Sequence, residues 1–395
     1  PCLSQPPFQP VAHHRPSPHL SVLSKILRRL PLYALLLVAL FEAAGWLIFK
    51  FPLDPPRTLL LKNDLPGCAK DVKLVFDRRQ TRRFSLADPK PPGTVRIFCL
   101  GGWATLAMNQ NDPDTWWGRL QSALIAKGLK VEIAARGAER TSLADNVALS
   151  SPIIESLKPD IIIVNAGFDD TVVHPLDYQY NPAAVAARLT PTPPSLRDQL
   201  VRFSQSVRFK RWWSTRREMG LAQNTIGRTN ALRTSITNAQ AAVAKLPVVD
   251  GVPRTPPNDP LSEYLDALKA LDTLAARSGA TLILSGEPSL LGEFTSISDE
   301  ELLLGYVSAS THGTRADRPA RPLPSWVHSE MNRFAAATQS HADAHRIPWI
   351  NLNGLIPRNT HHFVTDVMLT DAGAAKMAEF LLPIVEPVVR SKSSR

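Results

Sequence analysis

Cysteine is scarce in this chain of 395 residues, where only Cys2, Cys68 and Cys99 occur. Three thiols form no disulfide framework, and Cys99, which lies in an apolar run, is expected to be a small buried hydrophobe. The sequence also lacks a glycine-rich phosphate loop with its lysine, and any zinc-finger, helix-turn-helix or RNA-binding motif. These absences argue against a nucleotide or nucleic-acid partner, and we expect no metal and no cofactor.

Acidic residues are also fewer than basic ones. The chain carries 45 lysines and arginines against 35 aspartates and glutamates, which gives a net charge of +10. Such a balance suits either nucleic acid or an anionic membrane surface. Because no nucleic-acid motif is present, we favour the membrane.

Residues 1–20 are rich in proline and histidine and have no apolar period, which predicts a disordered tail. Three histidines lie in this tail, His13, His14 and His19. No cysteine or carboxylate cluster accompanies them, so we do not interpret them as a metal site.

The strongest apolar run, Leu30–Phe49, has about 20 residues, the length at which a helix spans a bilayer. Bulky residues follow it where signal cleavage requires small ones, so we predict an uncleaved membrane anchor over 21–52. Basic residues are more frequent before the run than after it, which predicts a cytoplasmic N-terminus and an extracytoplasmic main domain. Glu42, the one charge inside the run, suggests a helix-pairing or functional carboxylate. The alternative is a buried core helix.

Residues 53–93 contain two proline clusters and are interpreted as a linker with some local structure. Four of its arginines are expected on a solvated loop or, alternatively, against lipid head groups: Arg78, Arg79, Arg82 and Arg83.

From Val95 onward, short apolar runs alternate with stretches of helical periodicity. The predicted strands are Val95–Leu100, Lys130–Ile133, Ile161–Asn165, Thr281–Ser285 and Trp349–Leu352. The predicted helices are Trp116–Lys127, Leu143–Leu157, Ser262–Ser278, Ser325–His341 and Asp371–Val389, the last capped by Thr370 or Asp371. This alternation predicts an α/β domain over 94–390: a doubly wound, mainly parallel five-stranded sheet with helices on both faces, preceded by one transmembrane helix. In such a fold the site lies at the carboxyl ends of the strands.

An insertion over 171–260 interrupts the alternation and is long for a single connection. Within it, Leu196–Arg217 has helical spacing and ends in five arginines and lysines around Trp212 and Trp213. A basic helix with tryptophans suggests contact with a membrane interface. The alternatives are a lid over the site and a helix packed on the domain with a solvated basic face.

Four blocks, in order along the chain, carry a family resemblance. They are 98–105, in which a strand ends in Gly-Gly; 134–137, which ends in a glycine; 158–170, which ends in Gly-Phe-Asp-Asp; and 363–373, which contains Leu-Thr-Asp-Ala-Gly. Together they resemble the SGNH/GDSL hydrolases, in particular the bacterial forms with an N-terminal membrane helix. The resemblance implies a flavodoxin-like fold and ester hydrolysis.

The family's catalytic residues are absent from the matching positions. In the family a serine attacks the ester, a histidine takes its proton and an aspartate orients the histidine. The resemblance assigns these roles to Trp103, Met368 and Thr365, none of which can perform them. The family's asparagine position is Asp169, whose ionised carboxylate would repel an oxyanion, and Gly137 alone keeps its residue type. We therefore expect a catalytically inactive homologue.

Relocated catalytic groups are the alternative. Thr105 supplies a hydroxyl close to the end of the first strand, and His361 and His362 lie near the family's histidine position. Their ordinary roles would be a hydrogen-bonding loop residue and surface loop residues.

The sequence thus favours a membrane-anchored domain with a binding or scaffolding role at the bacterial cell envelope. Trp103, Phe168, Met368 and Gly137 would line a partly apolar pocket for an acyl or glycan ligand, unless that pocket has collapsed. Two alternatives stay open: an active acyl- or acetyl-esterase with relocated residues, and a structural partner in a membrane complex. The expected partners are membrane lipid and an envelope ligand, without nucleic acid.

Overall fold

The structure is a computed structural model, and it describes the chain in several ranges. They are residues 57–63, 65–76, 81–84, 86–87, 89–174, 178–190, 232–249, 259–293, 295, 307–309 and 318–394, with the positions 36, 37, 39–42, 204, 207, 209, 210, 213, 214 and 217. The chain divides into two compact units, one of Pro1–Leu53 with Pro194–Ser214 and one of Asp54–Pro193 with Thr215–Arg395.

Strands and helices alternate through the second unit. Its strands, in chain order, are β1 (Arg57–Lys62), β2 (Asp71–Phe76), β3 (Arg82–Phe84), β4 (Val95–Gly101), β5 (Val131–Gly137), β6 (Ile161–Ala166), β7 (Val248–Val249), β8 (Thr281–Gly286), β9 (Val307–Ala309), β10 (Arg318–Pro322) and β11 (Trp349–Asn351). Its helices are α1 (Trp103–Leu106), α2 (Trp116–Ala126), α3 (Leu143–Leu157), α4 (Phe168–Val172), α5 (Pro182–Leu189), α6 (Leu232–Val243), α7 (Pro260–Ser278), α8 (Pro324–His345) and α9 (Asp371–Ser393).

The main sheet contains the five parallel strands that the sequence predicts. Its order is β1-β2-β3-β5-β4-β6-β8-β11, and every pair from β5 to β11 is parallel. The parallel part has the flavodoxin-like order, in which the first strand, β4, lies between the second and the third. The chain passes from β4 to β5 on one side and then from β5 to β6 on the other side of β4, so the carboxyl end of β4 is the switch point at which such folds carry their sites. The predicted doubly wound α/β architecture is confirmed.

Helices cover both faces of the sheet. On one face, Trp116, Trp117 and Leu120 of α2 share a buried core with Met377 and Leu381 of α9. The opposite core contains residues of α3, α7 and α8. All residues of β4, β5 and β6 are buried, as expected for parallel strands covered on both sides.

Helix caps fix where several of these helices begin. The Thr370 hydroxyl accepts the Gly373 N–H at 3.2 Å, which confirms the predicted start of α9. Ser142 caps α3 in the same way by accepting the Asp145 N–H at 3.2 Å.

The interpretation of 53–93 as a linker is wrong for its central part. Strands β1, β2 and β3 lie there and extend the main sheet in antiparallel fashion, with β3 paired to β5. The signal was present as a period of two in β2, where Val72, Leu74 and Phe76 are buried and alternate with more exposed residues. Proline clusters on either side obscured it.

Arg82 is also not the solvated residue that the sequence suggests, since only 1% of it is exposed. Its guanidinium donates to the carbonyls of Leu106, Ala107 and Gln110 at 2.8–2.9 Å and to the carboxylate of Asp112 at 2.7 Å. The guanidinium also lies 5.0 Å from the ring centre of Trp117. The buried guanidinium of Arg82 thereby holds the backbone in place at the end of α1 and just after it.

Most of the predicted anchor, and most of the predicted basic helix, 196–217, lies outside the described residues. Among the residues that are described, no helix combines the length and apolarity needed to cross a bilayer. Within the first unit, Glu42 accepts a hydrogen bond from the Ser204 hydroxyl at 2.6 Å, and the rings of Phe41 and Phe209 lie 5.6 Å apart.

Replacing Arg82 by methionine should destabilise the fold by about 3–5 kcal/mol, because three buried carbonyls and Asp112 lose their partner. Urea unfolding measures this directly. The matched control is Arg277→Met, since the ion pair of Arg277 with Glu155 is exposed and its loss should cost less than about 1 kcal/mol. Equal effects of the two substitutions would contradict the role assigned to Arg82.

Candidate functional site

The candidate site lies where β4, β6 and β8 end side by side. Gly101, Asn165 and Ser285 are in register across these three strands. A glycine and a short helix follow two of these strands, Gly102 and α1 after β4 and Gly167 and α4 after β6, and a carboxylate, Glu287, follows β8. The carboxyl edge of the sheet therefore gathers the first and third of the blocks that carry the family resemblance.

The positions of the family's nucleophile and base are brought together as an apolar contact. Trp103, the first residue of α1, packs against a buried cluster formed by Leu65, Ile236 and Met368. Met368 is 1% exposed. The indole also packs against a second cluster, which includes Phe168 and residues of α8. A large ring thus joins two apolar clusters at the position where the family has a hydroxyl.

Thr365, at the position of the family's aspartate, is buried and supports a turn. Its hydroxyl accepts the Met368 N–H at 3.3 Å, and the Val364 N–H donates to the Met368 carbonyl at 2.7 Å. The neighbouring Asp366 is also buried, and its charge contributes to the raised pKa values of Asp169 and Glu287. The carboxyl group of Asp366 therefore lies close enough to the strand ends to raise the pKa values of the carboxyl groups there.

Two buried carboxyl groups, those of Asp169 and Glu287, meet at Gly102. A Cβ atom at Gly102 would lie 2.7 Å from Oδ2 of Asp169 and 2.9 Å from Oε1 of Glu287, so a side chain at this position would displace one of them. The other oxygens accept backbone N–H groups, of Arg140 for Asp169 and of Phe168 for Glu287, each at 3.2 Å. Oδ2 of Asp169 and Oε1 of Glu287 themselves have no hydrogen-bond partner among the described residues.

Burial raises the pKa of both carboxyl groups. Desolvation, followed by the charges of Glu287 and Asp170, raises the pKa of Asp169 well above its ordinary value. Desolvation likewise raises the pKa of Glu287 to about 8. Asp170, whose carboxylate accepts the Leu143 N–H at 2.7 Å, has its pKa raised to about 7, again chiefly by desolvation.

Burial and neighbouring carboxylates favour the protonated form of Asp169, a form that the sequence-based expectation of an ionised carboxylate did not consider. A neutral carboxylic acid carries an O–H donor, so this group could donate a hydrogen bond as the family's asparagine does. Asp169 by itself therefore does not exclude oxyanion stabilisation. The residues at the positions of the family's nucleophile, base and orienting group are Trp103, Met368 and Thr365.

Gly137 is required by packing. A Cβ atom there would lie 2.0 Å from the backbone nitrogen of Leu106, so any side chain would push α1 away from β5. Phe168, the other predicted pocket residue, is 2% exposed and begins α4.

The predicted relocated groups do not pair with one another. Thr105 is fully buried, and its hydroxyl has no hydrogen-bond partner among the described residues. His361 and His362 contact each other at a ring-centre distance of 4.8 Å, and Nδ1 of His362 lies 2.8 Å from the side-chain oxygen of Asn359. Neither histidine hydrogen-bonds to Thr105, as a nucleophile and its base would require.

Glu287 is a site residue that the sequence did not predict. It directly follows the apolar run Thr281–Gly286, so a carboxylate at the end of a predicted parallel strand was the available signal. Its contacts with Phe168 and Gly102 link positions far apart in sequence and could not be inferred from spacing. Within the described ranges, no group of three potential metal ligands lies at this edge of the sheet.

Comparison with known proteins gives fold-level similarities only. No protein-family model matches the chain, and no curated protein is significantly similar to it. A carbohydrate acetylesterase family member from Sinorhizobium meliloti is 11% identical, with a TM-score of 0.39 over 75% of this chain and 99% of that one. The acetyl xylan esterase AlAXEase is 12% identical, with a TM-score of 0.39 over 74% of this chain and all of that one.

A putative lipolytic protein of the G-D-S-L family from Desulfitobacterium hafniense is 11% identical, with a TM-score of 0.37 over 73% of this chain and 99% of that one. Similarity at this level does not extend to the reaction. The strand order and the residues at the strand ends are therefore the grounds on which a function is assigned.

Replacing Glu287 by glutamine should flatten the pH dependence of stability. Since burial raises the pKa of Glu287 from 4.5 to about 8, the folded state binds the proton more tightly than the unfolded state does. The stability that the protonated group contributes is complete below pH 4.5 and is lost as the pH rises towards 8. Glutamine keeps an acceptor for the Phe168 N–H and cannot ionise.

Between pH 5 and pH 8.5 we therefore expect the free energy of unfolding of the variant to rise relative to that of the unmodified chain. The gain should be on the order of a few kcal/mol, measured by urea unfolding. Glu379→Gln, at an exposed position, is the control. Parallel stability curves for the Glu287→Gln variant and the unmodified chain would contradict the buried protonated pair.

Proposed function

We propose that this chain is a non-hydrolytic relative of the SGNH/GDSL esterases, anchored in the membrane of a bacterial cell envelope, whose α/β domain acts in binding or scaffolding. The observation that carries the proposal is the packing of Trp103 against the cluster that contains Met368. The flavodoxin-like strand order and the four sequence blocks support the family relationship. The reaction itself depends on residues that the chain does not have.

Acyl transfer by the family's route needs a hydroxyl in hydrogen-bond contact with a base, and the base in contact with an orienting group. An indole has no hydroxyl or thiol that could take up the acyl group, and a thioether cannot accept a proton at neutral pH. The acidic group beside them, Asp169, has a pKa raised well above its ordinary value, and in its protonated form it could donate to an oxygen of an uncharged acyl or glycan group.

Thr105 is the candidate nucleophile of the active-esterase alternative. Its complete burial and the lack of a hydrogen-bond partner for its hydroxyl among the described residues count against that role.

The membrane part of the proposal rests on the apolar run and its basic flank. Glu42, which interrupts the run, has a hydrogen-bond partner in Ser204 of the insertion, and Phe41 contacts Phe209 of the same segment. A charge inside an apolar helix is tolerated when another segment supplies a polar partner. These contacts also favour the second alternative, in which the insertion and the anchor together form a structural element of a membrane complex.

Restoring the family's residues should create esterase activity. We expect no turnover of short-chain acyl esters by the unmodified chain, and turnover by a variant with Trp103→Ser, Thr365→Asp and Met368→His. Turnover by this variant should be at least about tenfold faster than turnover by a matched variant that carries Trp103→Ala in place of Trp103→Ser, because only serine supplies a nucleophile.

Circular dichroism must accompany these assays, since removing a packed tryptophan costs up to about 3–5 kcal/mol. Turnover by the unmodified chain that disappears in the Thr105→Ala variant would establish the active-esterase alternative and overturn the proposal.

Membrane anchoring predicts that the full chain sediments with membranes and is extracted by detergent, while alkaline carbonate leaves it in place. Deleting residues 21–53 should release the protein. Replacing Trp212 and Trp213 by alanine separates the two membrane elements: reduced recovery of partner proteins with intact anchoring would favour the structural-partner alternative. Release of the full chain by carbonate would contradict the anchor.

A further inference from the structure

Three potential metal ligands come together between helices α7 and α8. Asp272 projects from α7, and His341 and His345 project from α8. Their ligand atoms all lie within 4.8 Å of one another. Oδ2 of Asp272 is 2.9 Å from Nε2 of His341 and 3.3 Å from Nδ1 of His345, and the two imidazole rings stack at 4.4 Å.

These contacts do not satisfy the buried polar atoms. His341 is only 9% exposed, and within the described part of the chain neither its Nε2 atom nor Oδ2 of Asp272 has a hydrogen-bond partner. The two atoms are close together, but they are not aligned as donor and acceptor. Among the described residues, no lysine or arginine pairs with Asp272, whose ion-pair contacts are the two histidines. Unpaired buried polar atoms are costly, so their convergence on one point calls for a ligand.

We propose that Asp272, His341 and His345 bind a divalent transition-metal ion, with Zn²⁺ as the preferred ion. Histidines four residues apart lie on the same face of a helix, as in known zinc-binding helices. Two imidazole nitrogens and one carboxylate oxygen are the ligand types that zinc takes in proteins. With metal–ligand bonds of about 2.0–2.1 Å, neighbouring ligand atoms are roughly 3 Å apart, which is close to the spacing of the Asp272 oxygen from the two imidazole nitrogens.

The site is separate from the strand-end residues around Trp103. His345 is the last residue of α8, just before β11, and Asp272 lies in the last two turns of α7, before β8. The group is therefore near the amino ends of the parallel strands, at the opposite edge from Trp103. His345 is half exposed, which leaves one side of the ion open to a water ligand. An ion here would tie α7 to α8, whether or not the domain hydrolyses esters.

Zinc titration of the full chain tests the proposal. The protein would be purified without a histidine tag, stripped with a chelator and titrated with Zn²⁺ by calorimetry, with Co²⁺ absorption to report the coordination. His13→Gln, His14→Gln and His19→Gln would be present in every sample, so that the tail cannot contribute. We expect one ion per chain, and a rise in Kd of at least about tenfold in each of Asp272→Asn, His341→Gln and His345→Gln.

The matched control is the double variant His361→Gln and His362→Gln, which removes a histidine pair elsewhere on the domain and should leave the Kd unchanged. His345 is half exposed, so its substitution tests the site even if replacing the buried His341 disturbs the fold. Lack of zinc binding in the tail-substituted chain, or binding that the His345→Gln and Asp272→Asn variants leave unaltered, would overturn the proposal.

Discussion

The four-residue helix α1 is held by charged or polar groups at both of its ends, and the geometry of the strand-end site depends on that helix. At its carboxyl end the guanidinium of Arg82 binds the carbonyls of Leu106 and Ala107. At its amino end the carboxyl group of Glu287 lies against Gly102, the N-cap residue of the helix. This arrangement matches the polarity of the helix backbone. It also helps to hold the left-handed backbone of Ala107, at φ 47°, which a residue with a side chain adopts only under constraint.

Because α1 is fixed, the side chain at its first position decides what the site can do. A serine there would lie beside the strand ends; the tryptophan instead packs between two apolar clusters and meets the position of the missing base. The carboxyl groups of Asp169 and Glu287 are buried nearby and carry raised pKa values. The packing of the backbone at these strand ends and the chemistry of the side chains they carry impose separate requirements on the sequence.

The parts of the structure that follow local rules could be predicted from the sequence. The five parallel strands are continuous apolar runs, and α9 begins at the threonine that caps it. Strands β1 to β3 were missed because prolines flank a short alternating pattern. Arg82 and Glu287 were missed for another reason: their partners lie at least 24 residues away, so burial could not be inferred from their neighbours. The raised pKa of Asp169 could not be inferred from the sequence, because it depends on desolvation and on nearby carboxylates, which only the fold defines.

The central claim is that the site holds no activated nucleophile. A fluorophosphonate reacts covalently with a hydroxyl that a neighbouring base activates, and intact-mass spectrometry counts the adducts. The unmodified full-length chain should keep its mass after treatment, while the chain with serine, aspartate and histidine restored at positions 103, 365 and 368 should gain one adduct. A stoichiometric adduct on the unmodified chain, at Thr105 or at any serine, would contradict the account.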